Sequence, residues 1–162
     1  MPTSEKTIPP ASGSGYDYQN SLGWLMRSVL TLMRQEVEKG LEPYGLTNAQ
    51  WHPMFKLYVG QADTVAELAR GCMQDTGGMT RLLDRLEAKG LCQRQRSEVD
   101  RRVVHIALTP EGRDVAQVIP TVLQDIQQSA LKGFSPEEAE QLKGYLRRIL
   151  TTLQTEPSST PD

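Results

Sequence analysis

Two short helical patterns separated by barely a turn, followed at once by two extended segments, leave few folds open to this chain. Thr64-Val-Ala-Glu67 is a capping box, in which the threonine hydroxyl and the glutamate carboxylate each satisfy an N–H that the first turn leaves without an intrahelical acceptor. It opens a short helix from Val65 to about Cys72. A second helix starts near Asp75, carries Met79, Leu82, Leu83 and Leu86 at i, i+3, i+4 and i+7, and stops at Gly90, a residue suited to a left-handed C-terminal cap. A tight turn between two such helices is the geometry of a helix-turn-helix. The period then changes. Residues 91–96 and 103–108 read as strands, the second rich in β-branched side chains, and the polar SEVDRR between them makes a hairpin with a wing-like tip.

Other helices flank this unit. Asn20 to Gly40 places Leu22, Leu25, Met26, Val29, Met33 and Val37 on one stripe. Thr47-Asn-Ala-Gln50 is a second capping box; with Thr47 as the cap, Pro53 either kinks the helix or marks a later start. Thr109-Pro110 opens a fifth helix that runs to about Gly133, with a bend expected at Pro120. Ser135-Pro-Glu-Glu138 opens a sixth, which ends before Thr155. Residues 1–17 and 155–162, rich in Pro, Ser, Thr and Gly, read as disordered tails. The expected fold is mainly α with a small β-hairpin wing: a winged unit at about 47–109 inside a domain at 18–154, with N- and C-terminal dimerisation helices at about 20–40 and 110–154. Leu82, Leu83, Leu86 and Val104 are expected in the core. The apolar faces carrying Leu123, Ile126 and Leu131, and Leu142, Leu146, Ile149, Leu150 and Leu153, exceed what so small a core can cover. A second copy of the chain is the simplest partner for them.

Charge is polarised along the chain. Between Arg70 and Arg113 nine Lys and Arg face six acids, a surplus of +3, which leaves −5 elsewhere in a chain of net charge −2. A basic surplus along a helix-turn-helix and its wing can neutralise phosphates and release counterions; for a charge run by itself, a merely solvated face is the plain alternative. Two Cys twenty positions apart exclude a disulfide scaffold and a zinc cluster, and two His leave no metal site. No cofactor is expected. There is no apolar run of membrane-spanning length and no basic-then-apolar leader, so the chain reads as a soluble, cytoplasmic protein with no membrane partner. The absence of GxSxG, P-loop, dinucleotide and zinc-spaced patterns argues against an enzyme.

Leu46-Thr-x-x-Gln-Trp51, Glu67-Leu-Ala69, Thr80-Arg-Leu-Leu-Asp-Arg-Leu-Glu87, Lys89-Gly-Leu91, Asp100-Arg-Arg102 and Leu108-Thr-Pro-Glu-Gly112, in this order and over roughly residues 20–153, resemble the MarR family of bacterial transcription regulators. The resemblance implies a dimeric winged helix-turn-helix protein, most often a repressor, that binds a pseudo-palindromic double-stranded DNA operator and releases it on meeting a small ligand or an oxidant. The first turn of the second short helix (Asp75, Thr76, Gly77, Gly78) would face the groove, with Thr80, Arg81 and Arg85 on successive exposed turns. Gly77 and Gly78 stand where the family often carries Ser or Thr. Arg94 on the first strand joins the DNA-facing set. At the wing tip one of Arg101 and Arg102 would enter the minor groove while Asp100 orients an arginine.

The family's ligand pocket lies between the dimerisation helices and the winged unit. Trp24, Arg27, Trp51 and His52, with Arg81 reaching from below, are candidates for its wall and would suit a flat aromatic carboxylate: ring stacking from the indoles, charge pairing from arginine. Ordinary core packing is the alternative for Trp51 and His52. One branch of the family senses peroxides through a Cys near the start of its first helix. This chain has only Cys72, in an apolar slot, and Cys92, on a strand. A helical protein-interaction module and a cysteine-based redox regulator remain the competing readings.

Overall fold

The structure is a computed structural model that describes residues 16–100 and 103–155. A single 3₁₀ turn (Tyr18–Asn20) leads into α1 (Leu22–Leu41), whose cap is Ser21; its hydroxyl oxygen accepts the Trp24 N–H at 3.3 Å. A second 3₁₀ turn ends at Gly45, which takes a left-handed φ of +69°. The chain continues through α2 (Trp51–Tyr58), α3 (Val65–Gly71), α4 (Thr76–Ala88), β1 (Cys92–Arg96), β2 (Val104–Leu108), α5 (Pro110–Ala116), α6 (Ile119–Ala130) and α7 (Pro136–Thr155). β1 and β2 pair antiparallel, Cys92 opposite Leu108 and Arg96 opposite Val104. An isolated bridge between Thr64 and His105 fastens the start of α3 to the hairpin. Helix-turn-helix and wing are thus one unit, as the sequence predicts.

Local chemistry explains most boundaries. At α3 both halves of the capping box form: Glu67 N–H donates to Thr64 Oγ1, and the Glu67 carboxylate accepts the Thr64 N–H, each at 3.3 Å. Ser135 and Glu138 exchange the equivalent pair of bonds at the start of α7. The Thr47 box forms only by half. Gln50 Oε1 accepts the Thr47 N–H, but residues 47–50 are a turn and α2 begins at Trp51, so Pro53 falls in its first turn and kinks nothing. Pro120 does more than bend. It splits the expected fifth helix into α5 and α6 with Gln117 and Val118 between them, because a proline cannot donate to the carbonyl four residues back.

The core is a continuous set around Leu41, Met54, Leu68, Met79, Leu83, Leu86, Ile106 and Ile119. Leu82, Leu83 and Leu86 are buried as expected. Val104 is only half-buried: it shares the inward face of β2 with the buried Ile106 and Leu108 but stands at the wing end of the strand, opposite Arg96. Glycine makes two close approaches possible. A Cβ on Gly40 would meet Val122 Cγ1 at 2.6 Å, which lets α1 lie against α6. One on Gly112 would sit 1.8 Å from the Leu91 carbonyl oxygen, so α5 seats directly on the residue that precedes β1. Thr109 closes the same joint, its hydroxyl donating to Gly90 O at 2.6 Å and its N–H to Leu91 O at 3.2 Å.

The outer helices present a different surface. Leu22, Leu25, Met26, Val29, Leu30 and Leu32 on α1 are exposed, and so are Leu142, Tyr145, Leu146, Leu150 and Leu153 on α7, a helix without one buried residue. No helix among the described residues is long and apolar enough to cross a membrane.

Candidate nucleic-acid interface

Helix α4 is built to show one face and bury the other. Met79, Leu82, Leu83 and Leu86 pack inward, which leaves Thr76, Gly77, Thr80, Arg81, Asp84 and Arg85 exposed. Asp75 is its cap, accepting the Gly78 N–H at 2.7 Å. A Cβ on Gly78 would lie 2.9 Å from that carboxylate, so glycine keeps the cap in place. The Thr76 and Gly77 N–H groups have no intrahelical acceptor and, with the positive end of the helix dipole, favour an anion ahead of the helix. Thr80 Oγ1 donates to Thr76 O at 2.8 Å and keeps its lone pairs outward; Arg85 Nε donates to Arg81 O at 3.2 Å, which lays that guanidinium back along the helix.

The turn that aims α4 is strained. Met73, with φ +53°, is the one non-glycine among the described residues with a positive φ, and its side chain is 84% exposed. A left-handed methionine costs about 1–2 kcal/mol that a glycine would not. At the wing, Ser97 Oγ accepts the N–H groups of Val99 and Asp100, each at 3.2 Å, and the Ser97 N–H donates to Val103 O at 3.0 Å. Asp100 is exposed on that tip. Arg101 and Arg102 lie outside the described residues. Arg96 is exposed and makes no ion pair among the described residues.

Arg94 differs from the expectation. It does not stand toward a ligand: its guanidinium turns back onto α4, where Nη2 meets Asp84 Oδ1 at 2.6 Å and Nη1 meets Glu87 Oε2. Lys89 is likewise committed, donating to Gly45 O at 2.7 Å and to Oε1 of the buried Gln50 at 3.0 Å. This tie between the end of α4 and the loop before α2 went unseen in the sequence, because its two sides are about 40 residues apart.

A cleft of about 600 Å³ lies between α1, the start of α2, the turn after α3, and α6. Trp51 and His52 line it, their rings stacked at 4.9 Å and 21°. Trp24, Arg27 and Arg81 do not. Trp24 and Arg27 sit toward the far end of α1, and Arg81 belongs to the exposed face of α4. The cation at the cleft is Arg34, one heptad beyond Arg27 and so on the same face of α1; that spacing was the available signal. Cys72 and Gln74, on either side of Met73, also line it. Burial, reinforced by Lys56, holds His52 below its ordinary pKa. Burial pushes the Cys72 thiol up, and burial with Glu87 nearby pushes Cys92 up to about 11, so neither is poised as a thiolate. No cluster of metal-ligating side chains occurs among the described residues.

An outward polar helix face, a hairpin packed on its flank, and a basic surplus over residues 70–113 define a winged helix-turn-helix protein of the DNA-reading class. The MarR family model matches residues 46–104. The organic hydroperoxide resistance transcriptional regulator of Bacillus subtilis is 32% identical over 139 residues, spanning 83% of this chain and 90% of that protein. Among solved structures, the S. aureus MepR–DNA complex superposes with a TM-score of 0.76 at 27% identity, covering 82% of this chain and 98% of that one. A mutant E. coli MarR complexed with operator DNA gives 0.74 at 28% identity, covering 80% and 93%. The chain belongs to the MarR family of transcription regulators, and it is not an enzyme.

Proposed function

We propose that this protein is a homodimeric repressor that binds a pseudo-palindromic operator in double-stranded DNA. In this reading α4 enters the major groove, with Asp75 holding its first turn, Thr76, Gly77 and Gly78 bringing the backbone close to phosphate, and Thr80, Arg81 and Arg85 facing base edges and backbone. The wing, with Asp100, Arg101 and Arg102, reaches the adjacent minor groove. The observation that carries the reading is the outward face of α4: its apolar residues are spent on the core, while Thr76, Gly77, Thr80, Arg81 and Arg85 stay exposed on the other side. The apolar faces of α1 and α7 support the second copy.

The effector site in this reading is the cleft of Trp51 and His52, with Arg34 in place of the Arg27 and Trp24 expected from sequence, and its ligand is a flat aromatic carboxylate. The hydroperoxide in the name of the B. subtilis relative does not carry over directly. This chain has no cysteine before residue 72, and its two thiols are held protonated by burial.

Footprinting on the DNA beside its own gene, with and without millimolar phenolic acids and with an organic hydroperoxide as a separate arm, tests these statements together. Protection of two half-sites about one helical turn apart is expected, with release by an aromatic acid that also raises the thermal midpoint. Release by hydroperoxide alone, abolished by Cys72→Ser, would replace the ligand reading with a redox one. Charge reversal of Arg101 and Arg102 together should weaken binding to all sequences; intact binding would remove the wing from the interface.

A further inference from the structure

We infer that Arg94 is a positioning residue for operator reading: it sets α4 against the base of the wing and does not itself contact phosphate. The inference rests on the DNA-binding reading above. Register explains why this arginine is chosen. On β1, Cys92 and Arg94 point to the α4 side, Cys92 Sγ lying 3.8 Å from Leu83 O, while Gln93 and Gln95 between and beyond them point away. Arg94 therefore arrives over the last turns of α4, where Asp84 and Glu87, three residues apart, form one acidic edge. Three bonds close the joint. Asp84 Oδ1 accepts from Nη2 at 2.6 Å, Glu87 Oε2 accepts from Nη1, and Glu87 Oε1 accepts the Arg94 backbone N–H at 3.1 Å. One guanidinium thus grips two side chains three residues apart on one edge of the helix, and the backbone bond fixes the strand as well. A planar fork can do this; a lysine cannot.

The side chains are too exposed for this to be chiefly a device of stability. Arg94 is 30% exposed, Glu87 40% and Asp84 57%, the range in which ion pairs add little to folding. What the joint controls is the angle between α4 and the hairpin, which decides whether both can meet one stretch of duplex in register. Two acids on an exposed part of a DNA-facing helix otherwise repel phosphate, so their presence calls for a geometric role.

That conflict gives the test its sign. In full-length protein, Asp84→Asn with Glu87→Gln removes two negative charges from the DNA-facing unit. Charge alone predicts tighter binding to every DNA. Loss of positioning predicts operator affinity lower by about ten-fold, the scale of one mismatched base pair, with binding to non-operator DNA retained or stronger. Arg94→Ala should reduce operator affinity similarly and leave the slope of log affinity against log salt unchanged, whereas a phosphate contact would reduce that slope by about one. Arg94→Lys, which keeps the charge and loses the fork, should not restore operator affinity. Thermal unfolding of each variant, and Asp84→Asn alone, guard against a trivial loss of folded protein, which would lower operator and non-operator binding together. Equal or tighter operator binding by the double variant, a slope change of one in Arg94→Ala, or full rescue by lysine each overturns the inference. Wild-type protein that binds no DNA overturns the reading beneath it.

Discussion

The winged unit and the outer helices are written in the same amphipathic code but finish differently. In α4, Met79, Leu82, Leu83 and Leu86 all meet the core, whereas Leu142, Leu146, Leu150 and Leu153 repeat a similar spacing on α7 and none is buried. The first half of α1 behaves like α7 and its last turn like α4, with Val37 and Leu41 buried. A stripe therefore states that a helix wants a neighbour; only the assembled fold states whether the neighbour lies in the same chain. The winged unit covers its own stripe, and the outer helices leave theirs exposed.

The sharpest way to break this comparison is to truncate leucines in each region. Leu86→Ala should cost about 2–5 kcal/mol through lost burial and the cavity left behind, lowering the thermal midpoint equally at every protein concentration. Under the proposed dimer, Leu146→Ala with Leu150→Ala should instead change how the midpoint depends on protein concentration, with the loss largest in dilute solution. If both sets respond identically to dilution, the division between the two regions is wrong. Next in size is the joint between them. Gly112→Ala, which forces a methyl against the Leu91 carbonyl, should cost about 1–3 kcal/mol or more, read from the denaturant midpoint.

Smaller effects sharpen the picture at the turn and the cleft. Met73→Gly should stabilise by up to about 1 kcal/mol, as relief of the left-handed strain exceeds the entropy that a glycine adds to the unfolded chain. The mildest effect is expected at His52. Because burial and Lys56 hold its pKa below the ordinary 6.5, the unfolded chain takes up the proton first. Its contribution is fully present above pH 6.5 and declines as the pH falls through that value. His52→Gln should flatten this part of the stability–pH profile, and an unchanged slope would show that the ring is not desolvated.

What the sequence revealed followed from short-range rules. Capping boxes at Thr64 and Ser135, the left-handed Gly90 with φ +72° and the switch from helical to alternating period are all decided within a few residues. At Pro120 the sequence predicts a bend and the structure has a break, since the local rule says that a hydrogen bond is lost but not how far the chain then departs. The site was legible in part. The outward face of α4 follows from the same stripe that buries its other side. The commitment of Arg94 to Asp84 and Glu87 depends on how the hairpin folds back over α4, and the placing of Arg34, not Arg27, at the cleft of Trp51 depends on how far along α1 that cleft opens. Neither is fixed by spacing along the chain.

The contact of Gly112 with Leu91, clasped by Thr109 across Gly90, has a mechanical implication. There is no slack between the foot of the hairpin and the helices that follow it, so the two move as a welded elbow. A torque applied to the far arm cannot dissipate in a linker; it must arrive at the near one.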